Sequence, residues 1–139
     1  MMRAYKMVAV GVIALATGFA AASHAADGPL VDQAFADATT GRTFFYSRDG
    51  QAFGAEQYLP GRKVIWAFTG DDCQKGDWYP QGSEICFVYD DEPGPQCWTF
   101  EKTPEGLTGR YRGDNENAPL IAKRSSPEPM ACLGPDVGV

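Results

Sequence analysis

Hydrophobic and polar residues alternate with a period of two along most of the chain after residue 42. The alternating stretches are rich in β-branched and aromatic residues, and turn-forming pairs such as Asp49-Gly50 and Pro60-Gly61 separate them. Because short turns join sequential strands, we expect a mainly β fold, an antiparallel meander that forms a small barrel-like or strongly curved sheet. Seven strands and a possible eighth are predicted at residues 43–48, 52–59, 62–68, 76–80, 85–89, 97–100, 106–112 and 118–123.

A different period precedes the strands. Asp27 can cap a helix that has Pro29 in its first turn, and Gly41 can end it. The pattern therefore predicts one short N-terminal helix over about 27–40. Its apolar stripe is Leu30, Ala34, Phe35 and Ala38.

The first 25 residues are typical of a secretory signal peptide. Arg3 and Lys6 precede an apolar run over residues 7–22, and a small-x-small motif follows at residues 23–25. A retained anchor would need about 20 apolar residues and normally lacks such a motif, so we expect cleavage after Ala25 and no stable membrane anchor. The prediction is a periplasmic or secreted protein.

Cleavage would leave a single domain with a modest core. We assign residues 1–25 to the signal peptide, 26–124 to the β-domain and 125–139 to an irregular C-terminal segment. Loss of Arg3 and Lys6 lowers Lys+Arg from 12 to 10 against 18 Asp+Glu, so the formal charge changes from −6 to −8. An acidic monomer of this kind disfavours nucleic acid as a partner and favours cationic ones.

Cys73, Cys86, Cys97 and Cys132 predict two disulfides, since an even number of cysteines in a short exported chain is typical of them. The spacing has no Cys-x-x-Cys motif and no histidine would follow the leader, so we expect no metal site.

Two registers between the strands at 85–89 and 97–100 imply different disulfide pairings. A four-residue loop places Cys86 opposite Cys97 and Ile85 opposite Trp98, but brings Pro95 into a strand. A seven-residue loop favours Cys73 with Cys97 and Cys86 with Cys132, and this second pairing is the one we prefer.

Two groups of residues are candidate binding sites. Acidic residues concentrate in two loops that the meander could bring to one end, and aromatic residues concentrate in the central strands. The aromatic residues could line a cavity, but in a domain this small we favour a packed core, with the hydroxyls of Tyr58, Tyr79 and Tyr89 at its rim. The candidates are Trp66, Trp78, Trp98, Asp71, Asp72, Asp90, Asp91 and Glu92.

Catalytic and cofactor motifs are missing from the sequence. The only histidine, His24, lies in the leader, so Ser-His-Asp and Cys-His arrangements are excluded from the exported chain. No G-x-G-x-x-G or P-loop pattern is present. We therefore predict no catalytic residue, no cofactor and no enzymatic activity.

The segments FGAEQYLPGRKVIWAF, GDWYPQGSEICFVY, QCWTF and CLGPDVGV resemble small uncharacterised exported proteins of Rhodobacter-type alphaproteobacteria. The likeness covers approximately residues 44–139. It implies a periplasmic or secreted setting and supplies no catalytic residue.

Three functional hypotheses follow from the sequence. The first is a non-catalytic binding or envelope-associated domain that holds a small apolar ligand. The second is an acidic inhibitor of a basic hydrolase such as lysozyme, in which the acidic loops would occupy a cationic cleft. The third is a carboxylate-dependent glycan hydrolase.

Overall fold

The computed structural model describes residues 28–132, so the predicted signal peptide and the last seven residues of the C-terminal segment lie outside the described residues. Within 28–132, the helix found is too short to span a membrane. The helix and strands are α1 Asp32–Thr39, β1 Arg42–Arg48, β2 Gln51–Leu59, β3 Lys63–Phe68, β4 Gln74–Gln81, β5 Glu84–Tyr89, β6 Gln96–Thr103, β7 Gly106–Tyr111 and β8 Leu120–Ser126.

The strands form a closed antiparallel barrel in which each strand pairs with its neighbours in sequence and β1 pairs with β8. This confirms the predicted meander. The eighth strand lies at Leu120–Ser126 rather than at the predicted 118–123. Ser125 and Ser126, which we assigned to the irregular C-terminal segment, therefore pair with Phe44 and Thr43 of β1. Closure gives every strand two partners, which removes the exposed edges of an open sheet.

Turn chemistry explains the register at the first hairpin. Asp49 and Gly50 both adopt positive φ angles, 50° and 78°, as a two-residue hairpin turn requires. A bulge follows, because Tyr46 pairs with Gly54 and Ser47 pairs with Ala52, which leaves Phe53 as the extra residue. Phe53 is thereby displaced from the regular alternation of β2.

Helix α1 closes one end of the barrel. Phe35 is fully buried, and its ring packs on Tyr58, Trp78 and Phe100 with centroid distances of 5.5, 5.1 and 4.9 Å. The backbone N–H of Leu30 donates to the carbonyl of Phe100 at 2.7 Å. The residues before α1 are therefore bonded to β6, and the helix begins at Asp32 rather than at the predicted Asp27.

Two disulfides join the cysteines, but the preferred pairing was wrong. Cys86 bonds to Cys97 and Cys73 bonds to Cys132. Cys86 and Cys97 are direct cross-strand neighbours, as are Ile85 and Trp98, so the register with the shorter loop is the one adopted. The objection to that register does not apply, because β6 begins at Gln96 and Pro95 stays in the loop.

The segment after β8 returns along the outside of the barrel. The hydroxyl of Thr43 donates to the carbonyl of Glu128 at 2.8 Å, and the side chain of Gln57 accepts from the N–H of Met130 at 3.1 Å. The bond to Cys73 then fixes Cys132 to the residue that precedes β4. The two disulfides indicate a non-cytoplasmic environment.

Candidate ligand-binding cavity

The end of the barrel opposite α1 contains a cavity of about 290 Å³. The connections at this end are the loops 49–50, 69–73, 90–95 and 112–119, and we call it the open end. The end covered by α1 is the closed end. Aromatic side chains from six strands line the cavity, among them Phe53, Trp66, Phe68, Phe87, Trp98 and Tyr111.

Glu56 lies in the wall of this cavity and is only 4% exposed. Its Oε1 accepts a hydrogen bond from the hydroxyl of Tyr89 at 2.6 Å, and its Oε2 accepts one from the hydroxyl of Tyr58 at 2.9 Å. The hydroxyl of Tyr46 is 3.0 Å from that of Tyr58. Because Tyr58 uses its proton on Glu56, Tyr46 is the donor in that pair. We call these four residues the glutamate–tyrosine cluster.

Burial governs the protonation of the cluster. Desolvation raises the pKa of Glu56 to about 7, and the hydrogen bonds from Tyr89 and Tyr58 lower it only in part. Burial and the neighbouring Glu56 carboxylate raise the pKa of Tyr46, Tyr58 and Tyr89 above the ordinary value. All three tyrosines are therefore neutral donors at neutral pH, when Glu56 is close to half ionised.

Arg48 contributes the positive charge of the cavity wall. It comes from the last position of β1, and its guanidinium lies 4.7 Å from the ring centroid of Phe53. Its Nε is buried and finds no hydrogen-bond acceptor within residues 28–132. A buried donor without an acceptor costs stability.

Acidic residues surround the opening. Glu92 and Asp114 line the cavity, from the β5–β6 and β7–β8 loops. Hydrogen bonds from Asn117, together with the charge of Arg48, hold the pKa of Asp114 below its ordinary value. The mouth is therefore negatively charged at neutral pH.

The structure separates the sequence-predicted site residues into three groups. Trp66, Trp98 and Glu92 line the cavity, whereas Trp78 packs on Phe35 at the closed end. Asp71, Asp72 and Asp91 line a shallow depression beside the mouth. Asp90 is exposed, and its N–H donates to the carbonyl of Lys75.

The expectation of hydroxyl groups at the rim was wrong for Tyr58 and Tyr89, because both are buried and donate to Glu56. Tyr79 is 37% exposed. The expectation that the aromatic residues form a packed core instead of a cavity is correct for only some of them. The aromatic residues form a packed core at the closed end and line a cavity at the open end.

Sequence reasoning missed Glu56, Tyr46 and Arg48. The one available signal was the alternation of β2, which places Glu56 on the same face as Tyr58. The opposite face, with Ala55 and Leu59, is equally apolar, so the pattern did not show which face is internal.

One group of possible metal ligands occurs among the described residues, formed by Glu84, Cys86 and Cys97. The two sulfur atoms are bonded to each other, so they offer no thiolate to a metal ion. Glu84 also forms an ion pair with Arg112.

Fold and site together define an eight-stranded up-and-down β-barrel with an internal cavity that is open at one end. No family model matches the chain, and no curated protein or solved structure is significantly similar to it. The resemblance to exported alphaproteobacterial proteins therefore stays a prediction.

Proposed function

We propose that this protein is an exported, monomeric binding domain that holds a small, largely apolar organic molecule in the open end of its barrel. The observation that carries this proposal is the aromatic cavity with the glutamate–tyrosine cluster in its wall. Small-molecule sites combine apolar walls with a few convergent polar groups, as this cavity does. Its role is non-catalytic and requires no cofactor.

The cavity volume limits the size of the ligand. About 290 Å³ is at the lower end of the range of roughly 300–1,000 Å³ found for small-molecule sites. The ring of Trp66 is close to those of Phe53 and Phe68, at 6.2 and 5.3 Å, so one wall is a continuous aromatic surface. A compact molecule with one or two rings fits this space better than a long acyl chain.

Binding of a fluorescent apolar probe, 1-N-phenylnaphthylamine, tests the proposal. We expect probe emission to increase with the wild-type protein and to fall when Gln96→Trp fills the mouth, since Gln96 lines the cavity. Glu101→Trp is the matched control because Glu101 is an exposed residue of the same strand, outside the cavity. Equal binding by both variants, or no binding by the wild type, would contradict the proposal.

The tryptophans provide an independent readout. Trp66 and Trp98 line the cavity, whereas Trp78 is 2% exposed at the closed end. Energy transfer to the bound probe should therefore quench Trp66 and Trp98 more than Trp78. Single-tryptophan variants, with the other two replaced by phenylalanine, measure this difference.

A second candidate is the acidic inhibitor of a basic hydrolase such as lysozyme. It is favoured by one observation, the depression that Asp71, Asp72 and Asp91 share beside the mouth. Salt-sensitive binding to lysozyme that is lost in Asp71→Asn/Asp72→Asn/Asp91→Asn would support it. The carboxylate-dependent glycan hydrolase is the third candidate, and turnover of peptidoglycan by purified protein tests it.

A further inference from the structure

Glu56 is a buried carboxylate that forms no ion pair with any cation of residues 28–132. The ion pairs found among residues 28–132 join Asp32 to Arg62, Asp77 to Lys63 and Glu84 to Arg112, and all of them are on the surface. A buried carboxylate normally pairs with a cation or is protonated, because low-dielectric surroundings disfavour an isolated charge. Glu56 has only neutral tyrosine hydroxyls as hydrogen-bond partners.

Each tyrosine hydroxyl of the glutamate–tyrosine cluster donates its proton to another member of the cluster. Tyr46 donates to Tyr58, while Tyr58 and Tyr89 donate to Glu56. Each carboxylate oxygen has two lone pairs, and a tyrosine occupies one of them, so acceptor capacity remains on both oxygens. With Glu56 ionised, the cluster can accept further hydrogen bonds but has none to donate. A ligand group that hydrogen-bonds to the ionised Glu56 must therefore be a donor.

The aromatic surroundings favour a donor that is also a cation. Trp66 is directly opposite Glu56 in the β2–β3 register, and its ring is 6.3 Å from that of Tyr46. Phe87 stacks on Tyr89 at 6.1 Å on another side of the cavity. The faces of aromatic rings attract organic cations, most strongly where water is excluded.

The other charged groups of the cavity wall are Arg48, Glu92 and Asp114. Arg48 is the single cation among them and opposes a positively charged ligand. It lies near the mouth, over the ring of Phe53, and its charge acts on Asp114. With Glu56 ionised, three carboxylates face one guanidinium, so the balance of the wall is negative, as is the whole chain at −6.

We propose that the cavity binds a small arylalkyl or alkyl amine, with the ammonium group bonded to Glu56 and the apolar part against Trp66 and Phe87. This inference rests on the proposed function and adds the chemical class of the ligand. An amine also supplies the N–H donors that the acceptor-only cluster requires.

Three probes of similar shape and different charge test the inference. They are 2-phenylethylamine, 2-phenylethanol and 3-phenylpropanoate, each measured at pH 8 by displacement of 1-N-phenylnaphthylamine. A charge-assisted hydrogen bond exceeds a neutral one by about 1.4 kcal/mol, so the amine should bind about tenfold more tightly than the alcohol. The carboxylate should bind most weakly.

Two substitutions that each remove one negative charge separate the local effect of Glu56 from the effect of the protein's net charge. Glu56→Gln should abolish the preference for the amine, so that the ratio of the amine affinity to the alcohol affinity falls to about one. Glu105→Gln should keep the preference, because Glu105 is exposed in the β6–β7 turn at the closed end. Loss of the preference in Glu105→Gln would overturn the inference.

The wild-type protein gives a second test that does not depend on a variant folding. With the pKa of Glu56 at about 7, its ionised fraction rises from roughly a tenth at pH 6 to nine-tenths at pH 8. Affinity for the amine should rise by up to about tenfold over this interval, while affinity for the alcohol should not rise. The tyrosines of the cluster stay neutral over this interval, because burial raises their pKa values.

The outcomes distinguish the two proposals. If all three probes bind equally, or the carboxylate binds best, the amine inference is wrong and the binding cavity stands. If none of the three probes nor the fluorescent probe binds, both the amine inference and the proposed function are wrong.

Discussion

Aromatic side chains fill the closed end of the barrel, whereas at the open end they line a cavity. At the closed end, Phe35 enters from α1 and packs on rings from four strands, leaving no exposed fraction. At the open end, Phe53, Trp66 and Trp98 line a cavity, although the rings of Phe53 and Trp66 also contact each other. The difference comes from a single helix that covers one end, since both ends are rich in aromatic residues.

The glutamate–tyrosine cluster lies at the boundary between these two regions. Tyr58 contacts Phe35 and Phe44 on its closed-end side, at 5.5 and 5.7 Å, and donates to Glu56. Tyr89 stacks on Phe87 and donates to the same carboxylate. A packed core thus supports the positions of the polar groups, which is how buried polar networks keep a defined geometry.

The same substitution at the two ends should show the difference in packing most strongly. Phe35→Ala removes a fully buried ring and should lower the free energy of unfolding by about 3 to 5 kcal/mol. Phe53→Ala removes a half-buried ring beside a cavity and should cost about 1 kcal/mol. Urea unfolding followed by circular dichroism measures both values, and equal losses would contradict the distinction.

Removal of each disulfide in turn compares the stability that the two crosslinks contribute. Cys73–Cys132 holds a loop at the open end, and Cys86–Cys97 joins two strands of the barrel wall. Cys73–Cys132 spans 59 residues and Cys86–Cys97 spans 11. Loop-closure entropy predicts losses of about 4 and about 3 kcal/mol for the paired alanine variants. Thermal unfolding of the two variants and the wild type measures the order. A larger loss from removing Cys86–Cys97 would show that lost packing of those buried sulfurs outweighs chain entropy.

The pH dependence of the free energy of unfolding tests the burial of Glu56 in the glutamate–tyrosine cluster. The pKa of Glu56 is raised by burial from an ordinary 4.5 to about 7, so between these values the folded protein binds more protons than the unfolded chain. Stability should therefore fall as pH rises from 4.5 to 7, by about 3 kcal/mol, and this contribution should be constant above pH 8. Urea midpoints at pH 5 and pH 8 measure the change.

Glu56→Gln should remove most of this slope, and Glu105→Gln should retain it. Asp114 and Glu84 do not obscure the comparison, because hydrogen bonds from Asn117 and Arg112 lower their pKa values and they titrate below this interval. An unchanged slope in Glu56→Gln would show that another group titrates in the interval.

Much of the fold could be predicted from local chemistry. The period of two and the turn pairs, such as Asp49-Gly50, gave the strands and their antiparallel order because both act between residues close in sequence. The helix was predicted too, but its start at Asp32 depends on a hydrogen bond from Leu30 to Phe100, seventy residues away. The presence of the helix could therefore be predicted from the sequence, but its first residue could not.

The candidate site was predicted only in part. Trp66 and Trp98 were identified because large aromatic residues are visible in any sequence, and the structure places both in the cavity wall. Glu56 and Arg48 look like ordinary surface charges in β-strands. Their places in the cavity wall depend on which face of β1 and β2 turns inward and on the displacement at Phe53.

The sequence by itself determined the antiparallel meander, the short helix, the presence of two disulfides and the acidic character of the chain. Each of these depends on composition or on residues a few positions apart. Only the tertiary structure decided the pairing of the cysteines, the end that α1 covers and the burial of Glu56. These depend on barrel closure, which brings β1 against β8 and gives each side chain an inside or an outside position.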